Sequence, residues 1–319
     1  MKKIIVLLCI LLILASCASK EKSEEGIMQQ QGQNMPPLEG MQNQMPIQGN
    51  QQGMNQQQGI YLHNVLTATS TDGETWTVNE EPIAEHGSVP DVVQLHADLG
   101  DFSEETLLTY FVDATQSETH DAESIGMIYS TDNGETWSDR ETITFENADE
   151  QTPVDPSIVQ LDDGTLRMYY FDIAAMRNQD SEFKIYVADS TDGKTFTTQE
   201  SVYTSSTTIT DPDVVYFNEQ WFLYFVNHAK AAFSIYTSDD GLTFEEVGSV
   251  QMQGIPGVVV VSDEVHLYGC GMNEFPKKIS SDGITFGEQE SGMTVNGCDP
   301  SPIQLNDGSY FMVWKGYAE

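Results

Sequence analysis

Ser70-Thr71-Asp72-Gly73-Glu74-Thr75-Trp76 decides the fold, because the chain repeats this phrase four more times, as Ser130 to Trp137, Ser190 to Phe196, Ser238 to Phe244 and Ser280 to Phe286. The aspartates of the copies, Asp72, Asp132, Asp192, Asp240 and Asp282, are separated by 60, 60, 48 and 42 residues. Recurrence at such a period belongs to stacked or radial supersecondary units, not to one irregular domain. Each copy has the chemistry of a tight hairpin. Its Asp accepts hydrogen bonds from backbone N–H groups, its Gly takes positive φ without a Cβ clash, and its terminal Trp or Phe packs under the next strand. These aspartates are read as structural, not catalytic.

Two copies end in Trp and three in Phe, and Ser130 to Trp137 carries one extra residue. The phrase resembles the Asp-box found on the blades of sialidases and many other propellers. A second repeat runs out of phase with it, aligned on proline: Val89-Pro90-Asp91, Asp155-Pro156-Ser157, Asp211-Pro212-Asp213, Ile255-Pro256-Gly257 and Asp299-Pro300-Ser301, each opening an apolar run. A turn and an aromatic strand follow, as in Asp162-Asp163-Gly164 before Leu166 to Phe171. Each unit therefore reads as x-Pro-x, strand A, turn, strand B, loop, strand C, serine–aspartate turn, strand D. Proline fits at a strand's first position, where no ladder donor is lost.

Four antiparallel strands per unit make propeller blades, so the fold class is all-β, a five-bladed β-propeller. Ile60 to Thr69 and Thr77 to Ile83 supply strands C and D with no A or B before them, and Asp299 to Trp314 supplies A and B with nothing after. Joined, they complete a fifth blade and close the ring, which removes exposed sheet edges. Strand parity places the x-Pro-x motifs and the ends of strand B, Asp113, Asp172, Asn227 and Gly271, on one face around the channel, here called upper. The serine–aspartate turns fall on the opposite face. Sites gather where inner strands converge and loops vary, so the upper face is the expected site.

Residues 60–319 form that propeller; what precedes it reads as an address and a tether. Lys2-Lys3, the apolar run Ile4 to Leu14 and then Leu14-Ala15-Ser16-Cys17 resemble a bacterial lipoprotein signal over residues 1–16, with Cys17 the residue to be acylated. The run is too short to span a bilayer as a helix. Residues 17–59, rich in Gln, Gly, Asn, Met and Pro, cannot bury enough surface to order themselves and read as a flexible leash. The expected location is extracytoplasmic, on the cell membrane or the outer membrane. Once Cys9 and Cys17 are set aside, Cys270 and Cys298 remain at the upper face, and export favours a disulfide between them over two thiols.

The chain carries 13 basic and 50 acidic residues, and loss of Lys2 and Lys3 with the signal moves the formal net charge from −37 to −39. Such a surface repels nucleic acid and other polyanions and disfavours acidic sugars as substrates. The six histidines show no metal-ligand spacing, and His228, just after Asn227, is the one expected near the pocket. No cofactor is expected; a bound cation such as calcium has no position in the sequence, since no stretch matches a calcium-loop spacing.

At the residue before proline the blades carry Val89, Asp155, Asp211, Ile255 and Asp299, so three carboxylates are expected around the channel mouth. Carboxylates gathered in a partly dry pocket push one another's pKa values apart, which lets one serve as acid and another as base. The arrangement resembles glycoside hydrolase family 43 and its relatives in families 32, 62 and 68, five-bladed propellers whose successive inner strands begin with acidic x-Pro motifs. That resemblance covers residues 60–319 in architecture and implies Asp155 as general base and Asp211 as the residue that tunes and orients. It implies a general acid at position 255, which is Ile255. Glu274, near the top of the fourth blade, is the expected substitute donor, with Glu85, Glu118 and Glu123 as others from upper loops. Asp113, Asp172, Asn227 and His228 are the expected substrate contacts.

Sialidase activity is disfavoured. It needs three arginines around a carboxylate, and of Arg140, Arg167 and Arg177 only Arg177 reads as an upper-face residue. Two functions stay open. One is a lipid-anchored, glycoside-hydrolase-like propeller acting on neutral glycans through Asp155, Asp211, Asp299 and Glu274. The other is a non-catalytic propeller that binds glycan, peptide or a partner protein, its aspartates capping strand starts. The expected ligand is carbohydrate or another extracellular molecule, with the membrane reached through the anchor, no nucleic acid partner, and a monomeric chain.

Overall fold

The structure, a computed structural model, describes residues 59–115, 123–177 and 182–317. The signal segment, Cys17 and the tether through residue 58 lie outside the described residues. Strands β1 (His63–Ser70) and β2 (Thr77–Glu85) come first, then β3 (Gly87–Gln94), β4 (Leu107–Asp113), β5 (Ser124–Ser130) and β6 (Glu141–Thr142). After the short β7 (Thr144–Glu146) come β8 (Pro153–Gln160), β9 (Leu166–Asp172), β10 (Phe183–Ser190) and β11 (Thr195–Ser205). The third set is β12 (Ile209–Phe217), β13 (Gln220–Asn227), β14 (Ala232–Ser238) and β15 (Glu245–Val250). The fourth is β16 (Gly257–Val261), β17 (Glu264–Tyr268), β18 (Phe275–Ser280) and β19 (Glu290–Met293), and β20 (Gly297–Gln304) and β21 (Tyr310–Tyr317) end the chain.

Five antiparallel sheets result: β3 to β6 (blade I), β8 to β11 (II), β12 to β15 (III), β16 to β19 (IV) and β20-β21-β1-β2 (V). In blade II, β7 adds a parallel edge beside β11. The innermost strands touch in the order β3, β8, β12, β16, β20 and back to β3, which closes the ring. Blade V joins the two ends through β1 and β21, paired from His63↔Tyr317 to Ser70↔Tyr310.

The serine–aspartate turns are built as side-chain-locked hairpins. In the first, Ser70 Oγ donates to Asp72 Oδ1 at 2.9 Å, and the N–H groups of Glu74 and Thr75 donate to the same oxygen at 2.9 and 2.7 Å. The turn aromatic meets the strand-B tyrosine of the preceding blade edge-on in four of the five turns. Tyr110–Phe196, Tyr169–Phe244, Tyr224–Phe286 and Tyr268–Trp76 have ring centroids 5.7, 6.1, 6.2 and 6.5 Å apart. Each of these tyrosines also donates its hydroxyl to the turn glycine's carbonyl, on Gly193, Gly241, Gly283 and Gly73. The remaining seam, from V to I, has Val313 at the tyrosine's register position, and there Trp137 donates its indole N–H to its own Gly134 carbonyl at 3.2 Å. Every turn glycine's carbonyl thus keeps a donor, as buried backbone oxygens require.

A second set of links joins the inner strands one residue past proline. Ser301 accepts from Val92 N–H at 3.2 Å, Asp91 from Ile158 at 2.5 Å, Ser157 from Val214 at 3.0 Å and Asp213 from Val258 at 2.7 Å. The fifth link, between blades IV and V, is missing on both sides, since Gly257 has no side chain to accept and Pro302 no N–H to give. Gly257 is also fixed by contact, because a Cβ there would lie 1.8 Å from the Pro300 carbonyl oxygen.

Candidate active site

The residue before proline is what opens the channel mouth to chemistry. Val89, Asp155, Asp211 and Asp299 have φ of +44°, +54°, +54° and +56°. Ladder register breaks at the same points, between Ser88 and Asp91, Val154 and Ser157, Thr210 and Asp213, and Cys298 and Ser301. Left-handed backbone is costly for residues with a Cβ, most of all for β-branched Val89. Here it comes with a bulge in four of the five inner strands. Blade IV has none: β16 starts after Pro256, and Ile255 keeps negative φ.

The bulges bring Asp155, Asp211 and Asp299 into mutual electrostatic contact. Burial, then the charges of Asp211, Asp299 and Glu123, push the Asp155 carboxyl well above the carboxylate range, against a hydrogen bond from the Asp211 N–H. Burial and the Asp299 charge push Asp211 up to about 7, opposed by the Thr210 hydroxyl and Lys315. Asp299, 3% exposed, is raised by burial, which outweighs the Lys315 ammonium 2.8 Å away and the Val89 N–H. Asp211 and Asp299 line, with the proline ring and with Asp91, Asp213 and Ser301 beyond it, a cavity of about 20 Å³, room for one water; Asp155 stands outside that lining.

Lys315 is the functional residue that sequence reading missed. By register it occupies the place of Val112, as Lys315 pairs with Cys298 and Val112 with Ser88. Burial opposes its charge, but Asp299, Tyr317 and Asp211 hold the ammonium above its ordinary range. A lysine in an otherwise apolar register position was the available signal. His63 was missed too. Its Nδ1 lies 2.9 Å from Ser88 Oγ, and burial, then Lys315, lower its pKa to about 4.

Other expected residues have other tasks. Glu274 sits in a turn where its carbonyl accepts from Gly271 N–H at 2.8 Å, and no contact among the described residues joins its carboxylate to the three aspartates. Glu123, at the start of β5, is the glutamate whose charge reaches Asp155. Asp113 accepts from Arg140 at 2.7 Å and from Thr115 N–H at 2.9 Å, so Arg140 reaches up to strand B's end and does not lie low on its blade. Asp172 accepts from the N–H groups of Thr152 and Ala174, and Asn227 from Lys230 N–H. His228 is exposed, with Nε2 3.1 Å from Thr210 Oγ1, one residue from Asp211. Arg167 is spent on Asp189 at 2.8 and 2.9 Å.

Cys270 and Cys298 form a disulfide with Cα atoms 5.1 Å apart, and Asp299 N–H donates to Cys270 Sγ at 3.3 Å. Among the described residues, these two cysteines and Asp299 are the one trio with metal-ligating atoms inside 4.8 Å. Disulfide sulfurs are not thiolates, so that trio does not fit a metal. No helix among the described residues is long and apolar enough to cross a membrane.

No model of a known protein family matches the chain, and no curated protein matches it. Solved structures do. A family 117 glycoside hydrolase from the marine bacterium Zobellia galactanivorans superposes with a TM-score of 0.54 at 12% identity, over 81% of this chain and 91% of that one. An exo-β-1,3-galactanase from Phanerochaete chrysosporium gives 0.53 at 11%, over 78% and 64%, and a thermostable family-43 glycoside hydrolase 0.52 at 12%, over 72% and 83%. At such identities the likeness establishes a shared fold: the structural neighbours are glycoside hydrolase propellers.

Proposed function

We propose that this chain is a glycoside-hydrolase-like propeller acting on neutral glycans at the upper mouth, held outside the cytoplasm by a lipid on Cys17. The observation that carries the reading is the split between two adjoining carboxyls. Asp155, pressed by three other carboxylates, is pushed well above the carboxylate range, while Asp211, relieved by Thr210 and Lys315, is pushed up to about 7. Environments that push paired carboxyls apart assign the acid and the base. The resemblance made Asp155 the base; its surroundings make it the acid, which supplies the donor that Ile255 does not. Asp211 takes a proton from a water as that water's oxygen bonds to the anomeric carbon. The glycosidic C–O bond breaks, and Asp155 protonates the leaving oxygen.

A non-catalytic binder is the second reading, favoured by Ile255 and by the narrowness of the mouth. Both are tested by offering the full chain aryl glycosides and neutral plant and microbial glycans. Turnover lost in Asp155→Asn and in Asp211→Asn supports the first reading. Turnover that survives both discards the site, and binding without turnover selects the second. The lipid anchor rests on Lys2-Lys3, the apolar run and Cys17; labelling with a fatty acid should be lost in Cys17→Ala.

A further inference from the structure

Below the ring of prolines the channel opens on the opposite face into a cavity of about 310 Å³. Every blade contributes a branched apolar residue to its wall, among them Val93, Val159, Val215, Val259 and Ile303. Three rim glutamines are committed to links within the scaffold: Gln160 accepts from His96 N–H, Gln94 accepts from Asn306 N–H, and Gln304 donates to the Tyr310 hydroxyl. Tyr216, 53% exposed, and Trp221, with ring centroids 5.0 Å apart, form an aromatic lip. Asp91 and Asp213 line the vestibule where it adjoins the small cavity under the prolines, and no cationic side chain pairs with either among the described residues, in contrast to Asp299 and its Lys315. An apolar pocket ending in a few convergent polar groups is the common form of a small-molecule site.

We propose that this lower vestibule is a second binding site, for a small organic cation: a primary ammonium on an apolar stem, its head at Asp91 and Asp213 and its stem against the five branched side chains. Each carboxylate spends one oxygen on a neighbouring strand's N–H, from Ile158 and Val258, and the other on a serine hydroxyl. A further N–H, from Val92 and from Val214, bears on each carboxylate, which leaves one lone-pair site apiece for an ammonium. Burial and the Asp91 charge push the Asp213 carboxyl well above the carboxylate range, so an entering ammonium should promote its ionisation. The titratable groups facing the site are Asp91, Asp213 and, at the rim, His96 and the Tyr216 hydroxyl. The proposal is independent of the upper mouth.

The test titrates the full chain with n-pentylamine, n-pentanol and ammonium chloride, reading Trp221 fluorescence and, by calorimetry in two buffers, proton release. The amine should saturate one site with release of a proton, and pentanol should bind at least about tenfold more weakly. Ammonium chloride should leave Trp221 unchanged. Val159→Phe, which fills the wall, should abolish saturation, and Asp155→Asn should leave it intact. Equal binding of amine and alcohol, amine binding undiminished in Val159→Phe, or no saturable response would each overturn the proposal.

Discussion

Asp155 and Asp211 are neighbours of the same chemical type, separated in behaviour by what surrounds each. If Asp211 must be ionised and Asp155 protonated, activity should rise as pH climbs through about 7 and fall again where Asp155 ionises. A pH–rate profile on any substrate found by the screen checks this, and each Asn variant should cut kcat by roughly 10²–10⁴-fold. The same groups set a stability trend. Asp91, raised to about 6, and Asp211, raised to about 7, hold protons in the fold that the unfolded chain has released above about 3.8. Their contribution is complete below that value and is lost as pH rises through the folded values. Melting temperature should therefore fall between about pH 4 and pH 7, and Asp211→Asn should flatten that fall. A melting curve that rises steadily across the window would contradict the burial assigned to these carboxyls.

At the scale of the element, the tyrosine on strand B is the part that turns a blade into a ring member, since it both packs on the next blade's turn and supplies that turn's carbonyl with a donor. Tyr224→Phe keeps the ring contact with Phe286 and strips the donor from Gly283, so urea melts should show a loss of about 1–2 kcal/mol. Gly257→Ala, whose methyl meets the Pro300 carbonyl, should cost about 1–3 kcal/mol by overpacking β16 against β20. Much of this architecture was legible in the sequence, because turn chemistry and prolines act locally: Asp72-Gly73 announces a hairpin and Asp155-Pro156 an inner strand without tertiary information, although β8 begins at Pro153 and the Asp-Pro step is a bulge inside it, not its first position. The meeting of Asp155, Asp211 and Asp299 followed from strand parity. Other features depend on which residue faces which across a seam. Lys315 beside Asp299, the Gly257–Pro302 gap and the reach of Arg140 to Asp113 are set by register between distant strands, which no single segment encodes. The different surroundings of the carboxyls were out of reach for the same reason, as they depend on how many charges each carboxyl faces.

A ring of five blades is only as sound as its seams, and the seam between blades IV and V is unlike the rest. The other four carry an inner hydrogen bond, from Ser301, Asp91, Ser157 or Asp213 to the next strand. Between IV and V that bond is absent, and the Cys270–Cys298 disulfide crosses there instead, from the end of strand B in blade IV to the start of β20. Blade V is also the blade assembled from both ends of the propeller's chain, so β20 must be held for β1 and β2 to find their partner β21. The covalent link encloses a sequence separation of 28 residues, for which loop-closure entropy gives about 3–4 kcal/mol. Replacing both cysteines by serine should lower stability by about that amount in guanidinium melts, and hydrogen exchange should accelerate first in β20 and β16. Because Cys298 directly precedes Asp299, the paired variant should also loosen the Asp299–Lys315 contact, so catalytic or binding activity should decline at temperatures where the rest of the ring is still folded. Uniform acceleration of exchange around all five blades would mean that the disulfide acts on the unfolded chain alone and does not guard this seam.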